Sequence, residues 1–169
     1  VTLDEPTEIS SPGYPNNYTD NSECIWTVQN TWVSGTIYYE VNEIEFEDGC
    51  VDKLDFYLVG PYDQPQLTAP QHTLCGKSGS KAFGIPGPVN DIRFVTNQNT
   101  NYKGFDMIVS EHLCGGLFGA VGVNWIVGGR ISSPNYPENY DSDDYCIWYL
   151  VAPEKKILTY SFTTFDLDG

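Results

Sequence analysis

The sequence predicts an all-β fold: an antiparallel β-sandwich, with one near-complete domain followed by the N-terminal half of a second. Short runs in which apolar and polar residues alternate are typical of strands that bury one face. The 11 Pro and 16 Gly residues separate these runs, and almost no stretch has a helical period. A third observation, a segment that occurs twice, indicates two related domains.

The repeated segment covers residues 9–26 and 131–148. Eleven of its eighteen positions are identical at a constant offset of 122. This period is too long for a solenoid unit and matches the length of a domain. We therefore predict a first domain at residues 1–112 and the N-terminal half of a second domain at residues 113–169.

The predicted strands follow in order from Cys24. In the first run Trp26 and Val28 face one way, and Ile25, Thr27 and Gln29 face the other. Each later run has one apolar face, and these faces are Ile37/Tyr39/Val41, Leu54/Phe56/Leu58, Ile92/Phe94/Thr96, Phe105/Met107/Val109, the run 147–151, and Leu158/Tyr160/Phe162. Strands with this period of two pack as two sheets, face to face.

The charge of the chain restricts its partners. Lys and Arg total 8 against 23 Asp and Glu, which gives a formal net charge of −15. Such a surface repels phosphates and anionic lipids, so we predict no nucleic-acid partner. It suits cations, basic protein patches or simple solubility. The most apolar run, residues 115–129, is too short and too rich in Gly to span a bilayer, so we also predict no membrane span.

The five cysteines are explained by the repeat. Cys24 and Cys146 are equivalent, and Cys146 has an upstream companion, Cys114, whose counterpart for Cys24 would lie before the first residue. We predict the bonds Cys50–Cys75 and Cys114–Cys146, each worth roughly 3–4 kcal/mol, with Cys24 unpaired or bonded to another chain. No CxxC pattern supports a zinc site instead. This cysteine usage indicates an oxidising, secreted setting.

The same setting would permit glycosylation. Asn17, Tyr18 and Thr19 form a sequon in a turn-rich segment, so Asn17 is a candidate glycosylation site. No signal peptide is visible at the start of the sequence, which indicates a mature or trimmed chain.

Several short motifs occur in a fixed order along the chain. They are the SPxYPxNY turn at residues 11–18, Cys24 and Trp26 in one strand, Leu74-Cys75-Gly76, Gly104-Phe105 and Cys114-Gly115-Gly116. Together they resemble the CUB domain, an extracellular, jelly-roll-like sandwich module of complement proteases, developmental metalloproteases, spermadhesins and many receptors. The resemblance covers essentially the whole chain.

The resemblance also implies a candidate calcium site. Many CUB domains bind one calcium ion through a Glu, an Asp just beyond the third cysteine, and an Asp in a late loop. The matching residues are Glu47, Asp52 and Asn97, and Asp168 matches Glu47 in the second copy. Asn97 offers only a neutral carbonyl oxygen where the family has Asp, which weakens a cation site. Two interpretations stay open: a calcium site, or merely solvated loop acids.

Nothing in the chain indicates catalysis. Residues 126–129, IVGG, resemble the activated N-terminus of trypsin-like proteases, but the catalytic segments of those enzymes are absent. His72 and His112 are the two histidines, and no HExxH pair exists. The acid pair Asp143-Asp144 lies in a turn, where solvated carboxylates are expected. We predict that the protein is not an enzyme.

The spacer between the two repeats is unusually apolar and longer than CUB domains usually carry. Its candidate interface residues are Leu117, Phe118, Val121, Val123, Trp125, Ile126 and Val127. One interpretation is an edge strand against its own sandwich. The other is a contact surface between domains or chains, because an apolar run is costly to leave in water and its burial contributes several kcal/mol.

Half a sandwich cannot cover its sheet faces or pair its edge strands, so residues 113–169 are not expected to fold by themselves. Three explanations compete. The chain is an excerpt of a longer tandem array, or a neighbouring copy completes it in a filament or a swapped assembly, or the boundary reflects only where the sequence was cut.

The leading hypothesis is a non-enzymatic extracellular protein whose CUB repeats mediate protein–protein or matrix association, as a tandem or fibrous assembly. A second hypothesis is the calcium-dependent docking region of a secreted multidomain protease. A third is a spermadhesin-like glycan-binding module, in which exposed Tyr14, Tyr18 and Trp125 would stack on sugars.

Overall fold

The structure is a computed structural model that describes residues 1–31, 35–59, 69–112, 114–119, 130–142, 144–152, 155 and 157–167. These residues form strands and no helix, so none of them belongs to a helix with the length and hydropathy needed to cross a bilayer. The strands are β1 (Thr2–Leu3), β2 (Thr7–Ser10), β3 (Glu23–Asn30), β4 (Thr36–Glu45), β5 (Lys53–Val59), β6 (His72–Cys75), β7 (Lys77–Ser78), β8 (Lys81–Pro86), β9 (Val89–Val95), β10 (Gly104–His112), β11 (Gly116–Gly119) and β12 (Trp148–Val151).

The first repeat is a sandwich of two five-stranded sheets. One sheet has the order β1-β3-β9-β5-β6, and the other has the order β2-β10-β4-β7, with β8 also paired to β4. The pairings are antiparallel except that β1 runs parallel to β3. The predicted all-β, antiparallel sandwich is confirmed.

The core lies between the inner faces of these sheets and follows the predicted alternation. Core side chains that are at most 1% exposed include Ile37, Tyr39, Val41, Leu54, Phe56, Ile92, Phe94, Phe105, Met107 and Val109. Aromatic rings fill its centre, with ring centroids 4.9 Å apart for Tyr39 and Phe56. On β3, Val28 is buried whereas Ile25 is 59% exposed, so the two faces of this strand are the predicted ones.

Two disulfide bonds brace the fold. Cys50 bonds to Cys75, and Cys114 bonds to Cys146, which are the two pairs that the sequence predicts. Just beyond the second bond, β11 and β12 pair in parallel to form a two-stranded sheet. Cys24 has no disulfide partner among the described residues.

One predicted strand of the second repeat is wrong. The structure forms no strand at Leu158, Tyr160 and Phe162, whose side chains are 41%, 75% and 67% exposed. A strand needs a neighbour to pair its backbone groups. Among the described residues of this repeat, β11 and β12 pair only with each other. Apolar alternation alone therefore does not produce a strand here.

The two repeats touch at a defined contact, which we call the inter-repeat joint: Thr36, Tyr38 and Gly84 of the first repeat with Cys114 and Tyr145 of the second. The Thr36 hydroxyl donates to the carbonyl oxygen of Cys114 at 3.1 Å. The rings of Tyr38 and Tyr145 lie 4.6 Å apart between centroids. A Cβ added at Gly84 would lie 2.8 Å from the Tyr145 ring. The start of the second repeat therefore rests directly on strands β4 and β8.

Candidate functional site

Three loops meet at one end of the first sandwich. The turn before β3 supplies Tyr18, the β4–β5 loop supplies Glu47 and Asp52, and the segment after β9 supplies Asn97. Hydrogen bonds join these four residues, which we call the loop cluster. The structure thus brings together the three residues of the first repeat that the sequence predicts as possible calcium ligands. It also places Tyr18 beside them, which the sequence did not predict.

Asp52 is the buried charge of the loop cluster, with only 1% of its surface exposed. Its Oδ2 accepts a hydrogen bond from the Tyr18 hydroxyl at 2.6 Å, and its Oδ1 accepts one from the backbone N–H of Asn97 at 2.8 Å. Hydrogen bonds to an ionised acceptor are strong and offset its lost hydration. None of the ion pairs in the described part of the chain includes Asp52. The hydrogen bonds from Tyr18 and Asn97 therefore compensate the lost hydration of the Asp52 carboxylate.

The side-chain amide of Asn97 has a fixed orientation. Its Nδ2 donates to Glu47 Oε2 at 2.6 Å, while its Oδ1 accepts from the backbone N–H of Asn99 at 2.6 Å. Reversing the amide would set two donors against each other at Asn99 and two acceptors against each other at Glu47. The amide nitrogen, rather than the oxygen, therefore faces Glu47.

Tyr18 forms the apolar wall of the loop cluster. Its ring packs edge-on against Phe94, with centroids 5.4 Å apart. Burial, and next the hydrogen bond to Asp52, raise the pKa of Tyr18 far above its usual range, so the phenol remains a donor. The prediction of Tyr18 as an exposed, sugar-stacking residue is wrong, because its side chain is 1% exposed. The SPxYPxNY motif turns it into the core.

The turn that carries Tyr18 lies directly against β10. Ser11 Oγ accepts from the backbone N–H of Phe105 at 3.1 Å and donates to the carbonyl oxygen of Lys103 at 3.3 Å. Gly104, between them, has φ +94°, and a Cβ there would overlap the Ser11 side chain. Glycine at this position therefore lets the serine reach the backbone.

A second polar surface borders β4 and β10, but its charges are internally paired. Lys77 Nζ lies 2.9 Å from Glu45 Oε1, and Lys103 forms an ion pair with Glu43. Hydrogen bonding to Lys103 lowers the pKa of Glu43. The half-buried Tyr14 also donates to Glu43, at 3.3 Å. Two of the acids on this surface are therefore compensated by lysines.

The two histidines pack against aromatic rings rather than against a nucleophile. The His72 ring stacks on Phe83 at 4.2 Å between centroids, and burial lowers its pKa. The His112 ring lies edge-on to Tyr38 at 5.2 Å. Neither position resembles a general base beside a nucleophile.

Other predicted site residues stay predictions. Asn17 is exposed, and its side-chain amide donates to the carbonyl oxygen of Asn101 at 3.0 Å. Cys24 is half-buried and packs against the core. Leu117 and Phe118 lie in β11. Positions outside the described residues are Val121, Val123, Trp125, Ile126, Val127, Asp143 and Asp168.

The sequence profile of the CUB domain matches residues 1–108 and 124–169. The chain belongs to the CUB family. CUB domains are non-catalytic modules. Membership implies an extracellular module that takes part in protein–protein interactions. The resemblance on which the sequence prediction rests is thereby confirmed.

Curated relatives of this CUB chain are much longer than the chain itself. Cubilin of Canis lupus familiaris is 36% identical over 168 residues, which are 95% of this chain and 4% of cubilin. Procollagen C-endopeptidase enhancer 1 of Homo sapiens is 28% identical over 173 residues, covering 95% of this chain and 36% of that protein.

Solved structures show the same fold. The CUB1-EGF-CUB2 region of human MASP-1/3 matches with a TM-score of 0.53 and 19% identity, over 66% of this chain and 41% of that one. The MASP-1 CUB2 domain bound to Ca²⁺ matches with a TM-score of 0.50 and 16% identity, over 64% of this chain and 96% of that one.

Proposed function

We propose that this chain belongs to a non-enzymatic, secreted protein whose CUB repeats bind a basic protein or matrix partner. The observation that carries the proposal is the excess of acid, a formal net charge of −15 on 169 residues. Among the described residues the buried acids are Asp52 and Asp55, so the interior of the fold does not account for this excess. On a surface, it attracts partners rich in Lys and Arg and accelerates their encounter.

The basic side chains of the first repeat do not cancel this attraction. Four of the chain's eight basic side chains already pair within the repeat: Lys53 with Asp55, Lys77 with Glu45, Arg93 with Glu23, and Lys103 with Glu43. Each pair cancels one base and one acid, so the net charge stays at −15 and the remaining acids determine the outward field.

The inter-repeat joint supports a tandem binding surface. The tilted rings of Tyr38 and Tyr145 are in contact across it, and Thr36 hydrogen-bonds to the backbone of Cys114. Two repeats held in one orientation would offer their binding surfaces together, which favours a partner that spans both.

Surface plasmon resonance tests this proposal. The immobilised chain is exposed to a panel of purified secreted and matrix proteins, some basic and some acidic, at low and at high salt. We expect binding within the basic group, with an association rate that falls as salt rises. Binding by none of the basic proteins, or binding indifferent to salt, would contradict the proposal.

Self-association is a second candidate, because the second repeat carries exposed apolar side chains. Ile157 is 90% exposed, Phe165 68% and Leu167 59%, a cost that burial against another chain would remove. If the chain self-associates, its sedimentation coefficient in analytical ultracentrifugation should rise with protein concentration. A constant monomeric value across that range counts against it.

Glycan binding and calcium-dependent docking have weaker support. Of the three aromatic residues proposed to stack on sugars, Tyr18 is buried, Tyr14 is hydrogen-bonded to Glu43, and Trp125 lies outside the described residues. Calcium-dependent docking would need an ion at the loop cluster, where the Asn97 amide turns its nitrogen towards Glu47.

A further inference from the structure

The loop cluster does not fit a calcium ion as its side chains are arranged. Calcium takes six to eight oxygen ligands, and Asn97 presents a nitrogen donor to Glu47 instead. To offer Oδ1, Asn97 would have to rotate and give up its 2.6 Å hydrogen bond from the Asn99 N–H. The rotated amide would then set its NH₂ group against that N–H, so rotation creates a donor–donor contact.

The buried polar side-chain atoms of the loop cluster have hydrogen-bond partners without an ion. Both oxygens of Asp52 accept hydrogen bonds, one from Tyr18 and one from the Asn97 backbone. Among the described residues, the buried polar atoms without partners are Asn30 Oδ1, Ser78 Oγ and Asp106 Oδ1. All three lie outside the loop cluster, so no buried polar side-chain atom of the cluster lacks a hydrogen-bond partner.

We infer that the side-chain amide of Asn97 takes the structural place of the calcium ion in the first repeat. Its Nδ2 ties the β4–β5 loop at Glu47 to the segment after β9, and its backbone N–H ties the same segment to Asp52. A neutral donor thereby ties the loop that bears both carboxylates to the segment after β9, and the first repeat keeps this geometry without a metal.

The substitution Asn97→Asp should make the loop cluster dependent on calcium. Asn97→Asp removes the donor and brings a third carboxylate beside Glu47 and Asp52. Three like charges repel one another without a cation, whereas their six oxygens supply the minimum set for calcium. A calcium-independent loop cluster should become a calcium-dependent one.

Thermal unfolding of the 169-residue chain in EDTA and in excess calcium chloride tests this. We expect wild type to melt at the same temperature in both. Asn97→Asp should melt lower than wild type in EDTA and rise with calcium, since a ligand bound only by the folded state stabilises it. The matched control Asn99→Asp, at an exposed position, should behave as wild type. A folded Asn97→Asp variant with no response to calcium would overturn the inference.

If calcium raises the melting temperature of wild type, a second variant, Glu47→Gln, shows whether the ion binds at the loop cluster. A calcium-dependent rise that Glu47→Gln abolishes would overturn the inference, whereas a rise that it retains places the ion outside this cluster and leaves the inference standing. If Asn97→Asp does not fold, calcium is titrated into wild type and into Glu47→Gln by isothermal calorimetry. Calcium binding by wild type that is lost in Glu47→Gln would overturn the inference, and no binding by wild type would support it. No binding partner is involved, so the outcome is independent of the proposed association.

Discussion

The hydroxyl group of Tyr18 is one of the two donors that compensate the buried carboxylate of Asp52. The bond is short, 2.6 Å, and both side chains are 1% exposed. Leaving a buried charge without a donor costs more than the net gain from forming the bond. At the scale of single residues, this hydroxyl therefore anchors the turn before β3 to the β4–β5 loop.

Tyr18→Phe should lower the free energy of unfolding by roughly 1–3 kcal/mol, because the ring contacts stay while Asp52 loses a donor. Urea denaturation at neutral pH measures the difference. The matched control is Tyr57→Phe, whose hydroxyl lies 3.4 Å from Asp55 on a half-buried side chain and should matter much less. Equal losses in the two variants would contradict the role given to Tyr18.

The same residue predicts a pH dependence. Burial and Asp52 raise the pKa of Tyr18 above the 10.0 of an unperturbed tyrosine, so the folded state holds this proton more tightly than the unfolded state. The resulting stability is complete below pH 10.0 and is lost as the pH rises above it. Urea titrations at alkaline pH should show a shallower decline for Tyr18→Phe. Some slope should persist, since burial also raises the pKa of Tyr39.

At the scale of elements, the start of β10 depends on a close approach that a side chain would block. Gly104 has φ +94° and leaves room for Ser11, whose hydroxyl bonds to the backbone on both sides of this glycine. The first turn and the last strand of the repeat are therefore joined through one residue without a Cβ.

Gly104→Ala should destabilise the first repeat by roughly 1–3 kcal/mol from the positive φ alone, with the overlap at Ser11 adding to that. Gly79→Ala is the control, since a Cβ there meets nothing within 4 Å. Chemical denaturation followed by tryptophan fluorescence measures both. A Gly104→Ala protein as stable as the Gly79→Ala protein would show that the close approach is not needed.

Sequence reasoning predicted the elements well where burial has a simple period. The alternation at Ile37, Tyr39 and Val41 places all three in the core, since a strand that buries one face must show that pattern. It could not show that β1 pairs in parallel with β3, nor that the apolar pattern around Tyr160 pairs with no strand of the described residues, because both depend on distant segments.

The loop cluster was predictable only in part. Resemblance to the family brings Glu47, Asp52 and Asn97 to one place, and the structure joins them. The direction of the Asn97 amide depends on the Asn99 N–H, and the burial of Tyr18 depends on a turn folded against Phe94. Such orientations are set by three-dimensional contacts that no residue pattern specifies.

At the scale of the whole molecule, the inter-repeat joint determines how successive repeats are presented. Tyr145 of the second repeat covers Gly84 and packs its ring, tilted by 50°, against Tyr38 of the first. Burial, and next the charge of Glu40, raise the pKa of Tyr38, in keeping with a covered position. The joint thus places the start of the second repeat against β4 and β8 of the first.

Tyr145→Ala should loosen the joint, because stacked aromatic pairs contribute about 0.5–1.5 kcal/mol beyond their buried area. Hydrogen–deuterium exchange should then increase in β8 and in the first turns of the second repeat while the core strands stay protected. Tyr140→Ala, at a position that is 39% exposed, is the control. Unchanged hydrogen–deuterium exchange in β8 after Tyr145→Ala would contradict the claim that Tyr145 covers this strand.

We propose that the chain is one disulfide-braced CUB sandwich followed by part of a second CUB repeat, in an oxidising extracellular setting. Peptide mapping by mass spectrometry under non-reducing conditions tests it most directly. The account predicts Cys50 linked to Cys75, Cys114 linked to Cys146, and Cys24 free or joined to a cysteine outside these 169 residues. Cys24 bonded to any of the other four, or five reduced thiols, would contradict it.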